Sequence, residues 1–89
     1  MLPNLISQFM MAWNGDRDKL IAWLDKNQNK IDDQTFKEKK TLLMISVKNC
    51  WDVIVKLLLQ RNLNLTLKNA HGETAIDMAN QYGAWMNKR

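Results

Sequence analysis

Residues 41–46, Thr41-Leu42-Leu43-Met44-Ile45-Ser46, and residues 74–79, Thr74-Ala75-Ile76-Asp77-Met78-Ala79, stand 33 positions apart, and each opens on a threonine followed by a largely apolar run. Cys50 and Gly83 keep the same separation, so the register holds across two landmarks. Upstream, Ala12-Trp13-Asn14-Gly15 followed by Leu20, Trp23 and Leu24 matches Val47-Lys48-Asn49-Cys50 followed by Val55, Leu58 and Leu59 at a separation of 35. A period of a few tens of residues marks a repeat architecture, in which a unit too small to bury its own apolar face stacks on its neighbours to form a core.

The middle unit predicts two short helices, Leu42 to Asn49 and about Asp52 to Arg61. Leu43, Val47, Ile54, Val55, Leu58 and Leu59 are apolar there at helical spacing. Cys50 and Trp51 mark the turn between the helices, and Asn62 is the expected helix-ending residue, because Asn tolerates the left-handed conformation. Leu63-Asn64-Leu65-Thr66-Leu67 then alternates into Asn69-Ala70-His71-Gly72, which reads as an extended leg running into a tight turn.

Asn69-Ala70-His71-Gly72-Glu73-Thr74-Ala75-Ile76-Asp77-Met78-Ala79 and Val55-Lys56-Leu57-Leu58-Leu59 together resemble the ankyrin repeat family, whose period is also 33. The resemblance implies an all-α fold, a helical solenoid of stacked antiparallel helix pairs joined by hairpin-like loops. It divides the chain into an N-terminal capping repeat (1–35), a full repeat (36–68) and a truncated C-terminal repeat (69–89). Where the family has Thr-Pro-Leu-His, this chain has Thr41-Leu42-Leu43-Met44 and Thr74-Ala75-Ile76-Asp77, so a local stabilising network is expected to be lost. Lys39 and Cys50 stand where the family has turn glycines, while Gly15, Gly72 and Gly83 are retained. The segment 32–40 also carries an extra residue, which predicts an irregular, longer or more mobile first finger.

Ankyrin-like proteins bind partner proteins with their finger tips and the concave face of the first helices, and share no active site. Carried onto this chain, the expected contact residues are Lys37, Glu38 and Lys40 on the first finger, Ala70, His71 and Glu73 on the second, and Lys48, Asn49, Gln81 and Tyr82 on the helix ends. Lys37, Lys39, Lys40, Lys48 and Lys68 would form a basic edge suited to an acidic partner surface, or alternatively a solvated face. A second candidate surface is apolar. Met10 and Trp13 lie on an N-terminal helix with few polar positions, and Trp85 and Met86 follow Gly83 in a stretch too short for a full second helix. Both ends are therefore candidate oligomer or end-surface contacts.

Composition sets bounds on this reading. At 46% hydrophobic and 25% charged residues, with four Trp and six Met, the 89-residue chain carries enough apolar mass to fold as one domain. Its lone cysteine, Cys50, rules out an internal disulfide and suits a reducing cytosol, where it is expected to be small, buried or half-buried. The N-terminal stretch has no Lys or Arg ahead of its apolar residues and no run approaches the ~18 apolar residues of a membrane span, so neither a signal peptide nor a membrane segment is expected.

One His and one Cys give no zinc set, and Asp16 and Asp18 lack the Gly and Glu of a calcium loop. Three scattered glycines build no phosphate loop. The expectation is therefore no catalysis, no metal and no cofactor. The expected function is a small stand-alone inhibitor or adaptor, of the toxin-neutralising or host-defence-blocking type, that occludes one protein target. The alternatives are an assembly component that self-associates through apolar ends and, ranked below it, a nucleic-acid binder using the Lys-rich edge with Phe36.

Overall fold

The computed structural model describes residues 8–82, and among them it contains helices and turns but no strand. Five α-helices follow one another: α1 (Gln8–Asn14), α2 (Arg17–Asn27), α3 (Leu42–Lys48), α4 (Asp52–Leu59) and α5 (Ala75–Tyr82), with a short 3-10 turn, Gln28–Lys30, after α2. The inner helices α1, α3 and α5 stack in that order, α2 packs on α1 and α4 packs on α3. This is the all-α solenoid that the period predicts.

The middle helix shows why stacking is obligatory. Six consecutive residues of α3, Leu42 to Val47, are buried, because α1, α5 and α4 cover it on three sides. A helix apolar around most of its circumference is stable only when so enclosed. Its one core hydroxyl, Ser46 Oγ, donates to the Leu42 carbonyl at 2.9 Å, so burial leaves it satisfied. Ala12, Leu20, Leu24, Leu58 and Met78 join this core from the other helices. Leu59, grouped with Leu58 by helical spacing, is instead exposed at the rim of an apolar end groove.

Both inner helices that follow a finger start on a threonine cap. Thr41 Oγ1 accepts from the Met44 N–H at 3.2 Å, a bond of the kind that contributes about 1 kcal/mol. At α5 the Asp77 N–H donates to Thr74 Oγ1 and the Thr74 N–H donates to Asp77 Oδ2, each at 3.1 Å. Asp77 thus closes a reciprocal capping box at this helix start, in place of the network expected to be lost with the Pro and His. Met44, in the same position of the middle repeat, has no oxygen to return the bond.

Two further expectations change. The chain leaves α4 at Leu59 through bonds from the Gln60 N–H to the Leu57 carbonyl and from Arg61 N–H to Leu58 carbonyl, at 3.3 and 3.0 Å. Asn62 is not among the residues with positive φ, and its carbonyl accepts from Gln28 Nε2 instead. Cys50, expected to be buried or half-buried, is exposed, because its turn conformation turns it away from the stack.

Lys39 and Cys50 adopt φ of 55° and 60°, the left-handed region also occupied by Gly15 and Gly72. The turns keep glycine geometry at positions that have lost glycine. Left-handed strain for an L-residue is about 1–2 kcal/mol, and glycine returns about 0.5–1 kcal/mol of that as extra unfolded-state entropy. Cys50→Gly and Lys39→Gly are therefore each expected to raise stability by about 0.5–1 kcal/mol. Urea unfolding midpoints at an unchanged slope would measure it; a loss of stability in either variant would mean the strain is absent.

Candidate functional site: the cleft between two fingers

The second finger is built around Asn69, a residue only 6% exposed. Its Oδ1 accepts from the His71 and Glu73 N–H groups at 2.9 and 3.0 Å, and its Nδ2 donates to Glu73 Oε1 at 3.1 Å and lies 3.7 Å from Met78 Sδ. The Asn69 N–H donates to the Glu73 carbonyl at 2.9 Å, which closes the turn, with Gly72 at φ 79°. This Asx-type turn holds its own backbone without help from a β-ladder.

The first finger follows the same plan with one residue more. Thr35 takes the place of Asn69: its N–H donates to the Lys40 carbonyl and its Oγ1 accepts from the Lys40 N–H, both at 3.0 Å. The turn thus spans Thr35 to Lys40 where its counterpart spans Asn69 to Glu73, and the additional residue looped outward is Phe36, 88% exposed. The two fingers are joined. Gln34 Nε2 donates to the carbonyls of Lys39 and Lys68, each at 2.8 Å, and the Ala70 N–H donates to the Glu38 carbonyl at 2.9 Å. The first finger is irregular as expected, but these bonds close it.

Between the fingers and the inner helices lies a cleft of about 160 Å³, lined by Glu38 and Lys40 from the first finger, Lys48 from α3, Asn69, His71 and Glu73 from the second finger, and Met78 from α5. Glu38, Lys40, Lys48, His71 and Glu73 are all residues singled out from the sequence. Lys37 and Ala70 stand exposed on the finger tips. Gln81, on α5, donates to Glu73 Oε2 at 2.6 Å. Asn49 does not line the cleft; its Nδ2 donates to the Trp13 carbonyl at 3.1 Å, as does Trp51 Nε1, tying the first inter-helix turn to the second. Tyr82 closes α5. Met10 and Trp13 are about half exposed on α1, whereas Trp85 and Met86 lie outside the described residues.

The cleft's electrostatics are largely internal. Lys40, whose side chain is 15% exposed, pairs with Glu38 at 3.3 Å. Glu73 has a carboxyl held below the ordinary glutamate value, first by the Asn69 hydrogen bond, then by that of Gln81, with a smaller contribution from His71; desolvation and Asp77 act the other way. A depressed carboxyl stabilises the fold above its unfolded pKa, and that contribution is lost as pH falls through the lower folded value. Glu73→Gln is accordingly expected to be less stable than wild type near neutrality, the gap closing in acid. Thermal midpoints of both proteins against pH would test this, and a gap constant across the carboxylate range would refute it.

Other surfaces carry less of the predicted set. A wider cleft, about 430 Å³, lies between the starts of α2 and α4 and holds none of the expected contact residues. Among the described residues no group of three His, Cys, Asp or Glu is placed to hold a metal ion, and no helix is long and apolar enough to cross a membrane. Sequence reasoning left Phe36 out of the finger contacts. Its signal was available: it occupies the slot of Asn69 one period earlier, an aromatic where the turn needs a hydrogen-bonding side chain.

Comparison with known proteins agrees with this geometry. No curated protein matches the sequence significantly. A crystal structure of EF0377, an ankyrin repeat protein, superposes with a TM-score of 0.76 at 30% identity, over 85% of this chain and 40% of that one. This chain thus spans well under half the length of that relative. The model of ankyrin repeats in three copies matches residues 9–86. With stacked helix pairs, left-handed turn residues and paired fingers all in register, the chain belongs to the ankyrin repeat family.

Proposed function

We propose that the protein binds one protein target through the face formed by its two fingers and the ends of α3 and α5, acting as a small inhibitor or adaptor that occludes that target. Ankyrin repeats are a protein-interaction module and are generally non-catalytic. The observation that carries the finer reading is the convergence of Glu38, Lys40, Lys48, His71 and Glu73 on one cleft, flanked by the exposed Lys37, Phe36 and Ala70. Rigid, hydrogen-bonded fingers favour binding, since little chain entropy is lost when they dock. A free, exposed Cys50 thiol suits a reducing cytosol.

Affinity capture from the source cells tests the reading, comparing wild type with a Lys37→Glu, Lys48→Glu, Ala70→Arg variant that keeps its helical circular dichroism. A single protein enriched by wild type and lost with the variant supports it; a partner retained by the variant refutes the finger face. A second reading, self-association, has its own observation. The end groove of about 260 Å³ is lined only by apolar residues, among them Leu43, Val47, Leu59 and Ile76, and Ile76 is 54% exposed. Light scattering that finds a monomer at micromolar concentration would remove it.

A further inference from the structure

The apolar end groove repeats a seat that is filled elsewhere in the stack. Ala75, Ile76 and Ala79 on α5 stand 33 positions after Leu42, Leu43 and Ser46, and Val47, Val55 and Leu59 stand 35 positions after Ala12, Leu20 and Leu24. Those six counterparts are all buried, and beside them α4 packs on α3 with Ile54, Val55 and Leu58 as its buried face. Around the groove itself, Leu59, Leu65 and Ile76 are exposed. The groove therefore continues the interface between repeats and is shaped for one more helix. The face of that helix must carry apolar side chains at the i, i+1 and i+4 spacing of Ile54, Val55 and Leu58.

We propose that this helix is α1 of a second copy of the chain, so that copies associate head to tail, the α1 end of one on the α5 end of the next. The inference rests on the self-association reading and names the surface that fills the groove. Phe9, Met10 and Trp13 repeat the i, i+1, i+4 spacing. Trp13, in the place of Leu58, is 51% exposed and Met10 46%, while Phe9 is half-buried. Charge selects α1 among the helices. The groove is lined by apolar side chains alone, and α1 is the one described helix without a charged residue, whereas α2, α3, α4 and α5 each carry at least one. Docking α1 therefore buries no unpaired charge. Size agrees as well: Ala75 stands where the preceding seat has Leu42, which leaves room for an indole where that seat takes the side chain of Leu58.

The contact joins two different surfaces, so every copy that binds through one end still presents the other. Association is open-ended, with a mass that rises with concentration. A pairing of two end grooves about a two-fold axis would instead stop at the dimer. Neither α1 nor the groove contributes a residue to the cleft between the fingers, so substitutions at these ends leave the finger face as it is.

Sedimentation velocity of two complementary variants is the test. Trp13→Lys removes the docking face and keeps the groove; Ile76→Lys does the reverse, and Leu59→Lys, at the groove's rim, repeats it. Each variant, with its helical circular dichroism intact, is expected to be monomeric where wild type associates, a loss of about tenfold or more in affinity. Mixed in equal amounts, Trp13→Lys and Ile76→Lys should form a one-to-one dimer that grows no further, because one intact groove and one intact α1 then meet. Val53→Lys, at an equally exposed apolar position of α4 outside the groove, should associate like wild type. Association that survives in Trp13→Lys, a mixture that stays monomeric, an equal loss in Val53→Lys, or a wild-type mass that stops at two copies would overturn the head-to-tail contact and leave self-association standing. A wild type that is monomeric at micromolar concentration would remove both.

Discussion

Gly15→Ala is expected to lower stability by about 2–4 kcal/mol, while Gly72→Ala, with nearly the same backbone, lowers it by about 1 kcal/mol. Both glycines are left-handed, with φ of 71° and 79°, so both variants carry the same strain. They differ in surroundings. A Cβ at Gly72 meets nothing within 4 Å, whereas one at Gly15 would lie 2.8, 2.9 and 3.0 Å from Cε2, Cζ2 and Cδ2 of Trp51. The indole is not a loose end that can swing aside, because its Nε1 donates to the Trp13 carbonyl at 3.1 Å and its turn is set by Cys50 at φ 60°. Accommodating the methyl breaks that bond or separates the first two repeats. For a domain of this size the difference, about 1–3 kcal/mol, is about 5–20 °C in Tm. Equal losses in the two variants would show that the indole yields freely. A double-mutant cycle with Trp51→Ala locates the effect, since removing the indole should cancel the part of the Gly15→Ala loss that exceeds that of Gly72→Ala.

Why some of this was legible in the sequence and some was not follows from how local each determinant is. Helix pairs and their stacking were legible because the apolar spacing around Leu43, Val47, Ile54, Val55 and Leu58 repeats at a fixed period, and burial of those residues is a property of the period. Lys39 and Cys50 were legible as turn residues for the same reason: position in the repeat, and not residue type, fixes their φ. Burial at a helix edge was not legible. Leu58 and Leu59 look alike in the sequence, but only Leu58 faces the stack, while Leu59 faces the groove beside α5. Nor could the sequence tell that Asp77 would replace a lost network, since reciprocal capping needs the Thr74 and Asp77 side chains each to reach the other's backbone N–H.

The site divides in the same way. Residues around the cleft were found by register with the family, and five of them line one cavity. Register could not say which of them remain available. Glu38, Lys40 and Glu73 are engaged with neighbours, and Asn49 supports Trp13, because their hydrogen-bonding partners come from other repeats or from the opposite side of a turn. Phe36 reaches solvent because an added residue must leave the hydrogen-bonded path, and Thr35, with its hydroxyl, is the better closing residue.

That dependence of the cleft on one closing side chain makes Asn69→Ala the other large effect, an expected loss of about 2–3 kcal/mol. The substitution removes the acceptor of two backbone N–H groups, His71 and Glu73, and one donor to Glu73. Asn69 is buried, so water does not fully replace those bonds, and each unsatisfied group adds its desolvation cost. Glu73 loses the hydrogen bond that contributes most to its depressed pKa, so the acid-dependent part of stability should shrink in the same variant. Asn69→Asp separates the two roles. Its carboxylate keeps the acceptor for His71 and Glu73 N–H, but it donates nothing to Glu73 and places a second negative charge beside it. The Asp variant should therefore recover finger geometry, read from the amide shifts of His71 and Glu73, while its stability improves as pH falls and one of the two carboxylates takes a proton. If Asn69→Ala is as stable as wild type, or if Asn69→Asp shows no gain in acid relative to wild type, the second finger is held by its backbone turn and not by Asn69.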